Sequence, residues 1–149
     1  MFGATLKNVA HDARRGFTLI EIMIAVTIGL LIMAVAVPTA RNYLRQAKVG
    51  TTKQQLQTIR FAIEQFQMDT SVLPGRLRDL IKRPTGDDRV AGRWSGPYLP
   101  GKEEPRDAWN VRFVYRPTED AKHPFELYSY GADGKGSPKS DHISIWQLD

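Results

Sequence analysis

The segment GFTLIEIMIAVTIGLLIMAVAVP, residues 16–38, decides how the rest of this 149-residue chain is interpreted. No charged side chain occurs from residue 22 to residue 40, although 25% of the whole chain is charged. A helix over residues 17–37 rises about 1.5 Å per residue and is roughly 30 Å long, the thickness of a bilayer's hydrocarbon core. We therefore predict a membrane-spanning helix, and a freely soluble multidomain protein is excluded.

The remainder of the chain is small, cysteine-free and mildly basic. About 110 residues lie outside the span, which is enough for a small core but not for a large two-lobed enzyme. The absence of cysteine excludes disulfides, thiolate zinc sites and cysteine nucleophiles. The net charge is +5, yet no run of basic residues interleaved with aromatic residues is present. We expect no nucleic-acid partner.

Two arginines, Arg14 and Arg15, stand just before the apolar segment. Positive charge beside a span tends to stay in the cytoplasm, so we expect the N-terminus inside and the chain after Pro38 outside. An ordinary secretory signal is the alternative. It fits poorly, because the apolar run exceeds the usual length of about 7–15 residues and no A-x-A-like site closes it.

The helix is predicted to continue beyond the span as an amphipathic half over residues 39–70. Pro38 lacks an N–H and its ring clashes with the preceding turn, which predicts a kink there. The apolar positions that follow are spaced by 3, 4 and 3 residues and are Leu56, Ile59, Ile63 and Phe66. We predict one helix of about 50 residues that ends at the proline and glycine of residues 74–75.

The C-terminal region, residues 71–149, predicts a small antiparallel sheet. A short helical turn over 76–83 precedes a loop over 84–107, which we expect Trp94, Tyr98 and Leu99 to pin. Alternating apolar residues give strand candidates at 111–116, 125–130 and 143–148. The predicted fold is α+β, with a long N-terminal helix packed on a small C-terminal antiparallel β-sheet.

The junction RRGFTLIE, residues 14–21, carries the most specific chemistry. Gly16 before Phe17 leaves little bulk at the bond between them, which suits a peptidase that grips the backbone at a membrane surface. Glu21 is a lone carboxylate in the apolar helix, and such charges usually have a partner. If the chain is cut after Gly16, the new amino group on Phe17 of a neighbouring molecule can be that partner. The alternative is a solvated Glu21 at the cytoplasmic interface.

Catalytic candidates are few. The sequence has no nucleophile elbow, HExxH motif, P-loop or GxGxxG motif. A Ser-His-Asp arrangement rests only on the presence of His123, His142, Ser129, Ser137, Ser140 and Asp133. We expect these to be exposed turn residues and the protein not to be an enzyme, with a membrane-anchored periplasmic enzyme as the distant alternative.

Residues 16–38 resemble the leader junction and N-terminal helix of type IV pilins and type II secretion pseudopilins. Four later segments resemble, in order, the major pseudopilin of type II secretion systems. They are KRPTG at 82–86, GPYLP at 96–100, DAWNVRFVY at 107–115 and PFELYSYGADGK at 124–135. The resemblance covers nearly all of residues 14–146 and implies a type IV pilin-like fold.

The resemblance implies a processing pathway and a domain order. Residues 1–16 would be a cytoplasmic prepilin leader, cut after Gly16 by a prepilin peptidase that also methylates Phe17. Residues 17–38 would be the transmembrane and filament-core helix, 39–70 its amphipathic half, and 71–149 a periplasmic region.

The resemblance also implies a function in protein secretion. The chain would sit in the inner membrane as a single-pass protein and then polymerise into a periplasmic pseudopilus for protein transport across the outer membrane. Its partners would be copies of itself, the prepilin peptidase, an inner-membrane assembly platform and minor pseudopilins, with Glu21 setting the axial register. A type IV pilin or a minor pseudopilin is the alternative. The absence of a C-terminal disulfide and the presence of Glu21 favour the major pseudopilin.

Finally, the resemblance implies a calcium site in the loop after the strand at 125–130. The positions that match the family's ligands are Tyr130, Asp133, Pro138, Ser140 and Asp141. Ser140 replaces a carboxylate, Lys139 adds a positive charge, and His142 stands where an acid is common. Calcium prefers six to eight oxygens, so two carboxylates predict a weak site. The alternative is that GADGKG is a simple turn.

Two further expectations concern single side chains. Trp109, within a segment that departs from the family pattern, is predicted to anchor the core. The basic residues Arg41, Arg45 and Lys48 are predicted to form a solvated face, with lipid headgroups or acidic neighbours as the alternative contacts.

Overall fold

The computed structural model describes residues 16–148, which fall into two compact units that meet between Ala40 and Arg41. The helices are α1 (Leu19–Thr70) and α2 (Asp88–Arg93), and the strands are β1 (Val114–Pro117), β2 (Phe125–Ser129) and β3 (Ile143–Ser144). Short 3-10 turns cover Leu77–Leu80, Lys139–Asp141 and Ile145–Gln147. The predicted leader, apart from Gly16, lies outside the described residues.

The first unit contains the apolar part of α1. All of its helical side chains are exposed, with only Gly29 partly covered. The hydroxyls of Thr27 and Thr39 donate to the carbonyls of Met23 (2.8 Å) and Val35 (2.9 Å), so the helix satisfies these polar groups itself. The helix continues through Pro38. The kink at Pro38 stays a prediction.

The second unit is built on the remainder of α1. The predicted row of Leu56, Ile59, Ile63 and Phe66 is buried, each at 1% exposure or less. A repeat of 3.6 residues per turn places these side chains on one face, and that face packs into the core with Leu80, Phe125, Leu127 and Ile145. The spacing therefore predicted both the helix and its buried face correctly.

The sheet has three antiparallel strands in the order β1-β2-β3. Val114 pairs with Tyr128, and Tyr128 pairs with Ser144. Along β2, Phe125, Leu127 and Ser129 are buried, whereas the alternate residues Glu126 and Tyr128 face away from the core. This period of two confirms the predicted α+β fold with a small antiparallel sheet.

The outer strands are shorter than predicted. β1 begins at Val114 rather than 111, because the Asp107 side chain accepts the N–H of Val111 (2.9 Å) in the preceding turn. β3 ends at Ser144 rather than 148, because the Ser144 hydroxyl accepts the N–H of Trp146 and starts a 3-10 turn. In both cases a side-chain hydrogen bond to a nearby backbone N–H forms a turn that shortens the strand.

The segment 84–107 is not a continuous loop as predicted, because it contains α2. The side chain of Asp87 caps this helix by accepting the N–H of Arg89 at 2.8 Å. The predicted pinning by aromatic residues is confirmed. The Trp94 indole donates to the Asp79 carbonyl (2.9 Å), and the ring of Tyr98 lies edge-on to Phe66 at 5.6 Å.

Candidate functional site

The start of α1 presents the predicted processing junction. Gly16, Phe17 and Thr18 precede the helix, and Phe17 is 77% exposed. The N–H of Glu21 donates to the Thr18 carbonyl at 3.1 Å, while its carboxylate has no cationic partner within residues 16–148. Glu21 therefore places an unpaired negative charge in the first turn, beside the positive end of the helix dipole.

Behind this junction the helix offers an apolar surface. Thirteen large hydrophobic residues between positions 19 and 37 are each at least 45% exposed. By length and composition, α1 is the one helix among the described residues that could cross a membrane. An apolar surface of this extent marks a site of interaction with lipid or with other protein chains.

The loop over residues 130–142 carries the predicted calcium ligands. The Ser137 hydroxyl donates to the Tyr130 carbonyl (2.9 Å), and the N–H of Asp141 donates to the Pro138 carbonyl (2.9 Å). The Ser140 hydroxyl contacts Asp141 Oδ1 at 3.1 Å. The structure thus gathers these residues in one loop that is closed by its own hydrogen bonds.

Two further contacts hold this loop against the sheet. The His142 ring stacks on Tyr128 with centroids 4.8 Å apart, and its Nε2 lies 3.1 Å from the Ser137 carbonyl. Gly131 adopts a φ of 75°, and a Cβ there would lie 2.8 Å from the Asp141 carbonyl oxygen. A glycine is therefore required where the two ends of the loop meet.

Asp133 links the loop to α1. Its Oδ2 lies 3.9 Å from Nη2 of Arg45, and both side chains are more than half exposed. An exposed ion pair of this length contributes little stability. Arg45 thus has an acidic neighbour within its own chain, while Arg41 and Lys48 are exposed as predicted.

The oxygens of this loop match calcium in kind. Its carboxylates, carbonyls and hydroxyls are the hard donors that calcium prefers. Within residues 16–148, however, no three Asp, Glu or His side chains converge as a metal site. Asp133 and Asp141 supply the only carboxylates among the predicted ligands, so the loop offers calcium suitable donor types but few charged ones.

A buried carboxylate that the sequence reading missed organises the adjoining turn. Asp107 is 5% exposed, and its Oδ1 accepts the N–H groups of Trp109 and Val111, both at 2.9 Å. Its Oδ2 accepts the hydroxyl of Ser129, which in turn accepts the N–H of Gly131 at 3.0 Å. Asp107 thus joins the turn, the end of β2 and the start of the loop.

The prediction that Trp109 anchors the core is wrong. Trp109 is only partly buried and lies outside the hydrophobic core cluster. Asp107 holds this segment instead, and the N–H of Ala108 donates to the buried Thr52 hydroxyl of α1 at 3.3 Å. The side chain of an aspartate often accepts the backbone N–H two residues later and so forms a turn. This pattern is the sequence signal that could have revealed the turn at Asp107.

The serine, histidine and aspartate residues considered as catalytic candidates do not form a Ser-His-Asp triad within residues 16–148. The prediction that these residues are exposed in turns is wrong for Ser129, which is buried at the end of β2 and donates to Asp107. His142 contacts a backbone carbonyl. His123 lies 3.5 Å from Asp120 and packs against Trp146. Neither histidine is hydrogen bonded to a serine hydroxyl, so no activated nucleophile is present in this part of the chain.

Comparison with known families agrees with this geometry. Residues 12–37 match the family described as the prokaryotic N-terminal methylation motif, which places the chain in the class of proteins that carry this motif. Residues 40–146 match the family described as type II secretion system (T2SS), protein G. The chain belongs to this protein G family, the major pseudopilins of type II secretion.

Individual relatives cover nearly the whole chain. It is 37% identical to the type II secretion system core protein G of Pseudomonas aeruginosa, over 88% of this chain and 94% of that one. It is 32% identical to the protein of the same name from Xanthomonas campestris pv. campestris, over 87% and 86% of the two chains.

A solved structure supports the fold. The crystal structure of the major pseudopilin from the type 2 secretion system of enterohaemorrhagic Escherichia coli matches with a TM-score of 0.53. The match covers 72% of this chain and 94% of that one at 19% sequence identity. These findings confirm the predicted family and fold. The protein is a structural pseudopilus subunit in secretion, which implies self-assembly, and it is not an enzyme.

Proposed function

We propose that this protein is first held in the inner membrane and is then polymerised into a periplasmic pseudopilus that drives protein export across the outer membrane. The observation that carries the proposal is the exposure of every large apolar side chain between positions 19 and 37. Each such side chain gains about 1.5–3 kcal/mol on burial, so this surface needs a cover, and none is present among residues 16–148. Lipid covers it before assembly, and neighbouring copies cover it in the filament.

Glu21 sets the axial register in this scheme. A carboxylate surrounded by apolar side chains is costly without a partner, and within residues 16–148 it has none. Cleavage after Gly16 creates an amino group on Phe17. In the filament that amine of one copy meets Glu21 of a neighbour, in a low dielectric that strengthens their attraction.

The orientation follows from the charges that flank the span. Arg14 and Arg15 stay in the cytoplasm, where a prepilin peptidase removes the leader and methylates Phe17. The region after Pro38 lies in the periplasm. An inner-membrane assembly platform then lifts the helix out of the bilayer, and minor pseudopilins share the filament.

Mass spectrometry of the protein extracted from membranes tests the processing step. The mature chain is expected to begin at Phe17 and to carry an N-terminal methyl group. An intact Met1 in assembled material contradicts the leader assignment. In a strain that lacks its own protein G, the full chain is expected to restore filaments and secretion. Secretion without filaments would contradict the proposal that the protein acts as a polymer.

We also propose that the 130–142 loop binds calcium weakly. Asp133 and Asp141 would hold the ion, with the carbonyls of Tyr130 and Pro138 and the hydroxyl of Ser140 as neutral donors. Two carboxylates favour a dissociation constant near the 10⁻⁴–10⁻³ M typical of extracellular calcium modules, as an order of magnitude. The bound ion would neutralise the two carboxylates and tie the two ends of the loop together.

Thermal unfolding of the compact unit Arg41–Asp149 tests this site. Asp133→Ala is expected to lower Tm in millimolar calcium but not in chelator. Asp120→Ala, which removes an exposed aspartate elsewhere, should shift Tm equally in both conditions. An equal loss from Asp133→Ala with and without calcium would show that the Arg45 contact, rather than a metal, explains the effect.

A further inference from the structure

A hollow lies beside α1 on the surface of the second unit. Its volume is about 230 Å³ and its walls are predominantly apolar. The helix contributes Thr51, Gln54 and Thr58, and the segment after the cis-proline turn contributes Leu99, Pro100 and Pro105. An apolar cavity of about 150 Å³ is enough to hold a benzene molecule, so this hollow accommodates an aromatic side chain.

Gln55, one of the residues that line the hollow, carries an unsatisfied polar atom. Oε1 of Gln55 is buried and has no hydrogen-bond partner among the described residues. A buried acceptor without a donor is unfavourable, and native structures rarely leave one. This oxygen has almost no accessible surface and is not open to the hollow, so what the hollow lacks is an apolar filling, which a docked chain would supply.

The same helix carries a side chain suited to that role. Phe61 is 59% exposed, although Ile59 and Ile63 on either side of it are buried. Its neighbours one turn away are Gln57 and Gln65, whose amides are uncharged donors.

The exposed face around Phe61 carries no charge. At 100° per residue it includes Tyr43, Ala47, Gly50, Gln54, Phe61 and Met68, whereas the charged residues Lys53, Arg60 and Glu64 lie on the flanks. Such a face is suited to another uncharged protein surface rather than to solvent.

We propose that Phe61 of one copy enters the hollow of the next copy and fills it with its aromatic ring. The proposal rests on the proposed function, because the family self-assembles and another copy is the partner at hand. Phe61 and the hollow are different surfaces of the chain, so the contact between two copies is heterologous. Each copy can then bind a further copy at either end, as a filament requires. The hollow is centred about six residues before Phe61, which offsets successive copies by about 8–9 Å along the helix axis.

Disulfide trapping in the full chain tests this contact, because the protein has no native cysteine. The double variant Gln54→Cys with Phe61→Cys places its two thiols about 10 Å apart on one helix, too far for an internal disulfide. Oxidation of assembled filaments is expected to give a covalent ladder of trimers and larger species. Each single variant should stay monomeric, because neither position meets its own copy.

The control is the double variant Phe61→Cys with Gln67→Cys. Gln67 is exposed on the flank of the helix, away from the hollow, so this variant should give no ladder. A ladder from this control, or dimers from Phe61→Cys alone, would overturn the proposed pairing. Filaments of normal length that give no ladder would overturn the contact while leaving the pseudopilus function intact. Unsubstituted chains that form no filament would instead contradict the proposed function.

A charge substitution covers the case in which the cysteine variants fail to assemble. Phe61→Glu is expected to reduce filament yield about tenfold or more, as for the loss of a central interface anchor. Met68→Glu changes a side chain that is 73% exposed on the same face but away from the proposed contact, and should reduce yield far less. Equal losses from the two variants, with unchanged folding of each, would contradict the assignment of Phe61.

Discussion

The two parts of helix α1 differ in what covers them. Up to Ala40 no side chain of the helix is buried, although nearly all are apolar. From Arg41 onward seven residues are buried, and charged residues occupy the exposed flanks. The second part stabilises its own globular unit through its buried face, whereas the first has an apolar surface that no described residue buries. One element thus serves folding and assembly in separate stretches.

Removal of the one carboxylate in the first part gives the largest expected effect. Glu21→Ala should leave leader cleavage intact and abolish filaments, because the amine of Phe17 loses its partner. Immunoblotting of the processed chain and electron microscopy of sheared filaments measure the two outcomes. Glu21→Gln, which keeps the shape without the charge, should fail in the same way. Normal filaments from either variant would contradict the register role.

Truncation on the two faces of the second part should separate folding from assembly. Ile63→Ala is expected to lower the free energy of unfolding of Arg41–Asp149 by about 2–5 kcal/mol, because it leaves a cavity in the core. Phe61→Ala, two residues away and exposed, should change it by less than about 0.5 kcal/mol. Urea unfolding checks both values, and similar losses would show that Phe61 belongs to the core.

Removal of the Asp107 side chain should also lower the free energy of unfolding, by somewhat less than Ile63→Ala does. Asp107→Ala leaves the N–H groups of Trp109 and Val111 and the Ser129 hydroxyl without their acceptor. We expect a destabilisation of about 2–4 kcal/mol in the same urea experiment. Asp107→Asn keeps one oxygen acceptor and should lose less. An unchanged midpoint for Asp107→Ala would mean that water replaces the carboxylate without cost.

The smallest expected effect is the dependence of stability on acidic pH. Hydroxyls of Ser95 and Tyr98 donate to Asp69 and lower its pKa below the usual 3.8. A carboxylate with a lowered folded-state pKa stabilises the fold above its unfolded pKa and loses that contribution as pH falls through the folded value. Urea midpoints of the unsubstituted unit should therefore fall more between about pH 5 and pH 2 than those of Asp69→Asn. Parallel curves would contradict this contribution.

The sequence allowed prediction of features that depend on regular spacing. The row Leu56, Ile59, Ile63 and Phe66 repeats with the helical period, and β2 alternates with a period of two, so both buried faces were predictable. The apolar composition of the first part likewise indicated its exposure to lipid or to other chains.

Features that depend on contacts distant in sequence were not predictable. Asp107 is buried because Ser129, 22 residues later, donates to it. The Trp146 indole donates to the Phe125 carbonyl (2.8 Å), 21 residues earlier, which favours a 3-10 turn over a longer β3. Local capping by Asp87 could have revealed α2, because an aspartate before a short helical segment is a typical N-cap.

Cysteine accessibility in filaments tests the central claim, that copies of this chain cover the first part of α1. Leu31, which is 66% exposed in the single chain, is replaced by cysteine in one variant, and the exposed Gln67 is replaced in the other. Filaments are then treated with a water-soluble maleimide. Gln67→Cys is expected to react in intact filaments, whereas Leu31→Cys should react only after the filaments are dissociated. Equal labelling of both cysteines in intact filaments would contradict the central claim.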